Sequence, residues 1–256
     1  MKRILLVFIF TFAFSNEINI CDDNAGWAPY SYIKNNKPTG FSIALVKEIL
    51  KRLKIKSNID MIPWKRCVYL VDHFNKTHKY EMFLDGSYSK ERVKKYYQSL
   101  PIYYTHQALF YSDKKFTKKQ ILNIVKKDVN SLKMCDVNGY QTNHYKKILG
   151  YTRKIDKSAQ STINVLRKIS KGRCDAIVCS KEPIYGGQLI GQFKIPKYIK
   201  SVQLSEYKPI AFYIWVAKTS PRGKELITKI NNIIKEMHKD GSYHKLYKKY
   251  VLDKMK

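Results

Sequence analysis

Strand patterns and helix patterns alternate along this chain, and that alternation restricts the fold more than any other feature. An alternating segment at residues 17–21 precedes a helical pattern at 41–55, where apolar residues recur three and four positions apart. Strand-like segments follow at 58–64 and 80–86, with a second helical pattern at 65–74 between them. Such alternation predicts an α/β fold in which helices cover the faces of a mostly parallel sheet.

The same alternation returns downstream. Strand patterns at 132–139, 151–155 and 174–180 are separated by helical patterns at 140–150 and 161–172. Each half has enough residues to bury its own core. The sequence therefore predicts a second α/β unit of similar size.

The two units are joined by extended segments, since no stretch rich in proline or glycine divides them. Residues 100–111 and 202–216 read as strands that cross from one unit to the other and back. We expect two lobes with a ligand cleft between them: residues 16–105 plus 207–256 form the first, and 106–206 the second.

A long amphipathic helix is predicted near the end of the chain. Ser220 and Pro221 have the residue types of an N-cap and a first helical position, and Asp240 and Gly241 are typical of its end.

The first fifteen residues have the layout of a secretory signal peptide. Lys2 and Arg3 precede an apolar run at 4–13, and small residues flank a cleavage point near Ser15. About ten apolar residues are too few for a bilayer-spanning helix, which needs ~20. We expect cleavage, and a periplasmic protein without a lipid anchor.

The formal net charge of +29 raises the question of a nucleic-acid partner. The lysines are scattered over the whole chain, and no recognised reading motif is present. We expect no nucleic-acid partner and a monomer.

Five cysteines in an oxidising compartment allow two disulfide bonds and leave one thiol. Their spacing does not decide the pairing. No zinc-binding spacing is present, and we expect neither a metal nor a cofactor.

Arg92 stands out because only eight of the 49 basic residues are arginine. A guanidinium offers a planar pair of donors to a carboxylate, and lysine cannot reproduce that geometry. The alternative is a surface pair with Glu91 or Asp85.

Five segments together resemble the bacterial periplasmic solute-binding proteins of the amino-acid group, family 3. They are "GWAPYSY", "PTGFSIALVKEILKRL", "SYSKERVKKYYQSLPIYY", "GRCDAIV" and "DGSYHKLYKKY". The resemblance covers the chain after residue 15 and implies the two-lobe type II fold. It also implies that the ligand is an amino acid or a related small carboxylate and that it is delivered to an inner-membrane ABC permease.

The resemblance implies ligand contacts in the first lobe. Ser87 and Arg92 match the positions that grip the α-carboxylate of the ligand, and Trp27 matches an aromatic residue that covers it. Tyr30 is expected in the pocket wall. An indole face suits a cation or an apolar group.

The second lobe is expected to add backbone N–H groups at a glycine turn before a helix. In "VNGYQT" the candidates are Gly139, Gln141 and Thr142.

One position departs from the family pattern. Relatives carry an acidic residue for the α-ammonium where this chain has Ser180. Glu182 lies two residues further, and Asp85 stands on the facing lobe. Either residue supplies the missing charge, or the ligand is a carboxylate without a conventional amino group. Arg66 in "PWKRC" is a second departure, and it either faces the cleft or packs on its lobe.

Two other functions remain open. The fold also hosts a cyclohexadienyl dehydratase, in which a second-lobe glutamate is the general acid, and Glu182 is near that place. The chain could instead be a ligand-sensing module for a membrane-bound partner.

Overall fold

The computed structural model describes residues 17–140, 142–204 and 207–253. The expected signal peptide and Gln141 lie outside the described residues.

Thirteen strands form within the described residues. They are β1 (Glu17–Asp23), β2 (Tyr32–Lys34), β3 (Lys37–Thr39), β4 (Lys56–Ile62), β5 (Met82–Ser87), β6 (Tyr96–Gln98), β7 (Tyr103–Thr105), β8 (Gln107–Ser112), β9 (Cys135–Val137), β10 (Asp156–Ala159), β11 (Ala176–Ser180), β12 (Ile199–Gln203) and β13 (Ile210–Ala217).

Ten α-helices accompany them in the same part of the chain. They are α1 (Phe41–Arg52), α2 (Trp64–Asp72), α3 (Phe74–Thr77), α4 (Lys90–Lys95), α5 (Lys118–Lys127), α6 (Asn143–Leu149), α7 (Thr162–Ser170), α8 (Lys181–Leu189), α9 (Gly223–Lys239) and α10 (Ser242–Tyr247). None of the helices in the described residues is long and apolar enough to cross a membrane.

The first sheet has six strands in the order β4-β1-β5-β13-β6, and β7 also pairs with β13. β1 runs parallel to β4 and β5, whereas β13 is antiparallel to β5, β6 and β7. Side chains alternate between its two faces, as the period of a strand requires. Met82 and Leu84 enter the core beside α1 and α9, and Phe83 enters the core beside α2.

The second sheet is built around β8, which is antiparallel to β11 and β12. β9 and β10 pair in parallel beside it, and a bridge joins Met134 to Ala176. Along β8, Leu109 and Tyr111 enter one core while Ala108 and Phe110 enter the other. The α/β class is confirmed, and parallel pairing within the described residues is limited to β4-β1-β5, β9-β10 and the bridge from Met134 to Ala176.

The chain passes from the first sheet to the second at His106, between β7 and β8. It returns between β12 and β13. This second connection includes residues 205 and 206, which lie outside the described residues. The two sheets thus lie on either side of a double crossing.

Two local expectations were wrong. Helix α9 begins at Gly223, because the Ser220 hydroxyl donates to Glu81 instead of capping the helix. Arg222 also pairs with Glu81. The strand expected at residues 151–155 lies at β10, where it pairs with β9.

One disulfide bond lies in each half of the molecule. Cys21 of β1 is bonded to Cys67 of α2, and Cys135 of β9 is bonded to Cys174. Cys179 has a free thiol. The pairing that the spacing left open thus follows from which elements pack together.

Candidate functional site

A cleft opens between the two sheets, with about 670 Å³ of space including its mouth. That is the size range of small-molecule sites. Five of the residues expected from the sequence line it together: Trp27, Asp85, Ser87, Arg92 and Ser180.

Arg92 is buried at the cleft, with 6% of its surface exposed. It lies on α4, which Ser89 caps by accepting a hydrogen bond from the Arg92 backbone N–H (3.1 Å). Its Nη1 donates to the Ser87 carbonyl oxygen (2.6 Å) and lies 3.3 Å from the Ser87 hydroxyl. The Trp64 and Phe83 rings cover the guanidinium at 5.4 and 6.0 Å.

No carboxylate among the described residues forms an ion pair with Arg92, although Glu91 and Asp85 are nearby in sequence. Burial lowers the pKa of Arg92 to about 10, so the side chain remains charged at neutral pH. A buried cation without a partner is costly. The arrangement therefore leaves Arg92 available to an anion in the cleft.

Asp85 lies at the cleft in a left-handed conformation (φ 55°) within β5. That conformation is uncommon for a residue other than glycine and is often found at functional sites. Its Oδ1 accepts hydrogen bonds from the Ser42 hydroxyl (2.5 Å) and the Tyr103 hydroxyl (2.9 Å). Burial nevertheless raises the pKa of Asp85.

Three further aspartates line the cleft, and the sequence interpretation missed all of them. Asp22 and Asp23 lie at the end of β1, and Asp136 lies in β9 of the second sheet. Burial raises the pKa of Asp22, to which the charge of Asp85 adds, and raises the pKa of Asp136 to about 7. Burial also raises the pKa of Asp23.

Aromatic rings form one wall of the cleft. Trp27 contacts Phe212 of β13 (ring centroids 5.5 Å apart) and Tyr140 (6.1 Å). The Tyr140 hydroxyl donates to Asp23 Oδ2 (3.0 Å), which joins a residue that follows β9 to one that ends β1. This hydrogen bond connects the two sides of the cleft.

Ser180 lies at the cleft but is already hydrogen-bonded. Its hydroxyl is 2.6 Å from the Thr105 hydroxyl and accepts a bond from Gln107 Nε2 (3.1 Å). A serine hydroxyl carries no charge, so Ser180 does not supply the acidic charge that relatives have at this position.

Glu182 does not line the cleft. Both of its carboxylate oxygens accept bonds from the His106 backbone N–H (3.0 and 3.1 Å), and its Oε1 is 2.7 Å from His106 Nδ1. Glu182 thus binds the segment where the chain crosses between the sheets.

The remaining candidates lie around the cleft. Tyr30 is fully buried and stacks on Tyr103 at 3.6 Å, behind the cleft surface. Gly139 has a φ of 83° and borders a separate surface depression beside Trp64. Thr142 precedes α6 without capping it by its side chain. Arg66 is exposed on α2.

A signal for the missed aspartates was present in the sequence. Asp22 and Asp23 end the strand segment "EINICDD", and Asp136 lies in the strand segment "MCDVNG". Ligands of α/β sheets bind outside the carboxyl ends of parallel strands. The other lining residues that were missed are Trp64, Gln107, Tyr140, Val178, Cys179, Ile210 and Phe212.

Comparison with known proteins agrees with this architecture. The family model of the bacterial extracellular solute-binding proteins, family 3, matches residues 18–253. No curated protein matches the chain.

Among solved structures, a histidine kinase sensor domain with similarity to periplasmic binding proteins has a TM-score of 0.73 at 16% identity, over 92% of this chain and 96% of that chain. A substrate-binding protein of an ABC uptake transporter from Streptococcus pneumoniae, with bound histidine, has a TM-score of 0.72 at 17% identity, over 92% of each chain. The arginine-, lysine-, histidine-binding protein ArtJ from Geobacillus stearothermophilus has a TM-score of 0.71 at 17% identity, over 92% of this chain and 95% of that chain. At these identities the likeness concerns the fold.

Proposed function

The chain belongs to the bacterial extracellular solute-binding proteins, family 3, and we propose that it is a periplasmic receptor for an amino acid or a related small carboxylate. It delivers this ligand, as a monomer, to an inner-membrane ABC permease. ABC-transporter binding proteins for amino acids are among the structures that share its fold.

The observation that carries this proposal is the unpaired guanidinium of Arg92. Its Nη1 is held by Ser87, and its other two nitrogens donate no hydrogen bond within the described residues. A carboxylate at this place would accept charge-assisted bonds worth ~1.5–3 kcal/mol each. The buried Trp27 Nε1, which has no partner among the described residues, is a second donor at the cleft.

Closure of two lobes around the ligand is part of the proposal. We assign residues 16–105 plus 207–256 to one lobe and 106–206 to the other, and the signal peptide is cleaved near Ser15. The bonds from Tyr140 to Asp23 and from Gln192 Nε2 to the Ala25 carbonyl (3.0 Å) join the two sides. A ligand shifts the population toward closure through the contacts that only the closed form makes.

Catalysis is not part of the proposed function. The dehydratase alternative requires a general acid that reaches the ligand, within about 3.2 Å or through one water. Glu182 accepts bonds from His106 and is not among the residues that line the cleft. Incubation with prephenate or arogenate is expected to give no phenylpyruvate or phenylalanine, and formation of either product would contradict the proposal.

Calorimetric titration with amino acids and small carboxylates tests the receptor function. We expect at least one ligand to bind and Arg92→Ala to weaken its binding at least tenfold, because the carboxylate loses its charged donors. Arg167→Ala is the matched control, since Arg167 is exposed and its side chain bonds only Asn164 among the described residues. Unchanged affinity in Arg92→Ala would refute the assignment.

A further inference from the structure

One end of the second sheet faces away from the cleft. Strand β8 begins at the cleft with Gln107 and ends at Ser112, about 17 Å further on at ~3.4 Å per residue. The register of its neighbours places Ala176 beside Tyr111 and Ile199 beside Ser112. The segments that precede β11 and β12 therefore lie at the same end as the segment that follows β8. We call this surface the outer end, and it consists of residues 113–119, 133, 171–175 and 197–200.

Hydrogen bonds join the segments of the outer end to one another. The Asp113 backbone N–H donates to the Tyr198 carbonyl oxygen (2.8 Å), which links the segment after β8 to the segment before β12. The Asp175 backbone N–H donates to the Lys133 carbonyl oxygen (2.7 Å), and the Lys133 backbone N–H donates to Asp175 Oδ2 (2.8 Å). Four separate parts of the sequence thus form one surface.

Basic residues dominate the outer end. It contains two acidic and nine basic residues, a larger excess than the 20 and 49 of the whole chain. Both acids are already paired, Asp113 with Lys200 (3.6 Å) and Asp175 with Lys115 (2.5 Å). The nine basic side chains are all exposed, and they are Lys114, Lys115, Lys118, Lys119, Lys133, Lys171, Arg173, Lys197 and Lys200. Lysines that are scattered in the sequence are therefore gathered here by the fold, and positive charge at this density attracts anions.

A depression in the outer end offers donors for a phosphate group. It has about 370 Å³ of space including its mouth, and its lining includes the side chains of Lys114, Lys115, Ser112 and Ser170. Asp175 also lines it, but both of its oxygens already accept bonds, from Lys115 Nζ and from a backbone N–H. Ammonium and hydroxyl groups form strong hydrogen bonds to phosphate oxygens.

The residues of the outer end favour a lipid surface over a protein partner. None of the large apolar side chains that are exposed in the described part of the chain belongs to it. The core of a protein interface is enriched in aromatic residues and depleted in lysine. An anionic bilayer surface, in contrast, attracts clusters of lysine and arginine by charge alone. Membrane surfaces are accessible to an extracellular solute-binding protein.

We propose that the outer end docks on the anionic phospholipid headgroups of a membrane surface, and that the depression lined by Lys114 and Ser170 takes a headgroup phosphate. The cleft lies at the opposite end of β8, so docking leaves it open to its ligand. The docked protein would diffuse along the membrane and meet a membrane-bound partner in two dimensions. This inference does not depend on which ligand the cleft binds.

Cosedimentation with lipid vesicles tests the docking. The mature protein is expected to bind vesicles of phosphatidylglycerol and phosphatidylcholine at least tenfold more tightly than vesicles of phosphatidylcholine alone. Salt at about 1 M is expected to release it, because the Debye length falls to ~3 Å. Equal binding to the two kinds of vesicle, or binding that salt does not weaken, overturns the proposal.

Substitutions at the outer end locate the docking surface. The variant Lys114→Gln/Lys118→Gln/Lys119→Gln/Lys171→Gln removes four charges that have no carboxylate partner among the described residues. It is expected to bind the anionic vesicles at least tenfold more weakly than the wild type.

A control variant removes the same charge from the first half of the molecule. Lys34→Gln/Lys37→Gln/Lys224→Gln/Lys235→Gln changes four exposed lysines on the β2–β3 hairpin and on α9. It is expected to weaken vesicle binding less than threefold. Equal weakening in the two fourfold variants would mean that net charge alone holds the protein, and it overturns the outer end as the docking surface.

Thermal melting checks that the variants fold. If the fourfold variant at the outer end does not, Lys114→Gln/Lys171→Gln and Lys118→Gln/Lys119→Gln are measured separately. Each pair is expected to weaken vesicle binding at least threefold, and unchanged binding in both pairs overturns the proposal.

Other anions are separated from the membrane by competition. Inorganic phosphate is expected to displace the protein from anionic vesicles no more than sodium chloride of equal ionic strength. Stronger displacement by phosphate assigns the depression to the free ion and overturns the headgroup. Binding of a DNA duplex without binding of the anionic vesicles overturns the membrane as the partner.

Discussion

Arg92 is held from one side only, by the carbonyl and hydroxyl oxygens of Ser87. The flat guanidinium lies against the Trp64 and Phe83 rings. A lysine ammonium is not planar and could not stack on the two rings in the same way. A weakly hydrated, delocalised cation is also less costly to bury than an ammonium. These properties explain why a chain rich in lysine has arginine at this position.

Asp136 gives a pH dependence that can be measured without a ligand. Burial raises its pKa from the usual 3.8 to about 7, so between these values the folded state binds more protons than the unfolded state. The stability associated with the neutral carboxyl is present at pH 4 and is lost as the pH rises through 7.

We therefore expect the unfolding free energy of the wild type, relative to Asp136→Asn, to fall by up to about 4 kcal/mol between pH 4 and pH 8. Urea unfolding at several pH values measures this difference. Because both proteins keep the other cleft acids, those contributions cancel. A difference that stays constant over this range would contradict the shift.

At the scale of elements, strand ends place the cleft residues. β1 and β5 are adjacent and parallel, so Asp22 and Asp85 come to the same edge of the first sheet. The short helix α4 follows β5 directly and brings Arg92 back to that edge. The cleft is therefore assembled where the sheet stops and its helices begin.

The disulfide bond between Cys21 and Cys67 ties α2, with Trp64, to β1 across 46 residues of sequence. Closing a loop of that length in the unfolded chain is worth about 4 kcal/mol in the chain-entropy account. We expect Cys21→Ser/Cys67→Ser to lower the free energy of unfolding by 2–4 kcal/mol, roughly. Urea denaturation of the oxidised proteins measures it, and a loss under about 1 kcal/mol would show that packing alone holds α2.

At the scale of the whole molecule, α8 packs against the loop after β1 across the cleft. A Cβ at Gly186 would lie 2.4 Å from the Ala28 carbonyl oxygen and 2.7 Å from its carbon. Both are backbone atoms, which cannot move aside as a flexible side chain can. The contact between the two halves therefore requires glycine at this position.

Gly186→Ala is expected to weaken ligand binding at least tenfold by hindering closure, while the ligand-free protein stays folded. Calorimetry and small-angle scattering with and without ligand measure the affinity and the compaction. Leu189→Ala, at an exposed position on the same helix, is the control. Normal compaction of Gly186→Ala with ligand would contradict a role in closure.

How much of the cleft could be predicted differed from residue to residue. Arg92 was found because it is an unusual residue type in this chain, and Ser87 because the family resemblance pairs a serine with that arginine. Both signals are local in the sequence. Asp22 and Asp136 were not found. Each lies near the end of a strand segment, which is a signal, but neither segment shows that β1 and β9 end at one cleft. Glu182 lies two residues after Ser180, the position where relatives carry the acidic residue. Its hydrogen bonds to the backbone and ring of His106 hold its carboxylate at the point where the chain crosses between the two sheets.

The sequence by itself was enough to predict the α/β alternation, two units, the family and Arg92 as a candidate ligand contact, because periodicity and residue type act over short distances along the chain. Only the tertiary structure decided the disulfide pairing, the partners of Ser180 and Glu182, and the four aspartates at the cleft. These depend on contacts between residues far apart in sequence, such as the disulfide bond between Cys135 and Cys174, across a separation of 39, and the hydrogen bond from Tyr140 to Asp23, across a separation of 117. The pKa of a carboxyl group also depends on burial. Burial is set by packing in the folded protein and cannot be read from the sequence.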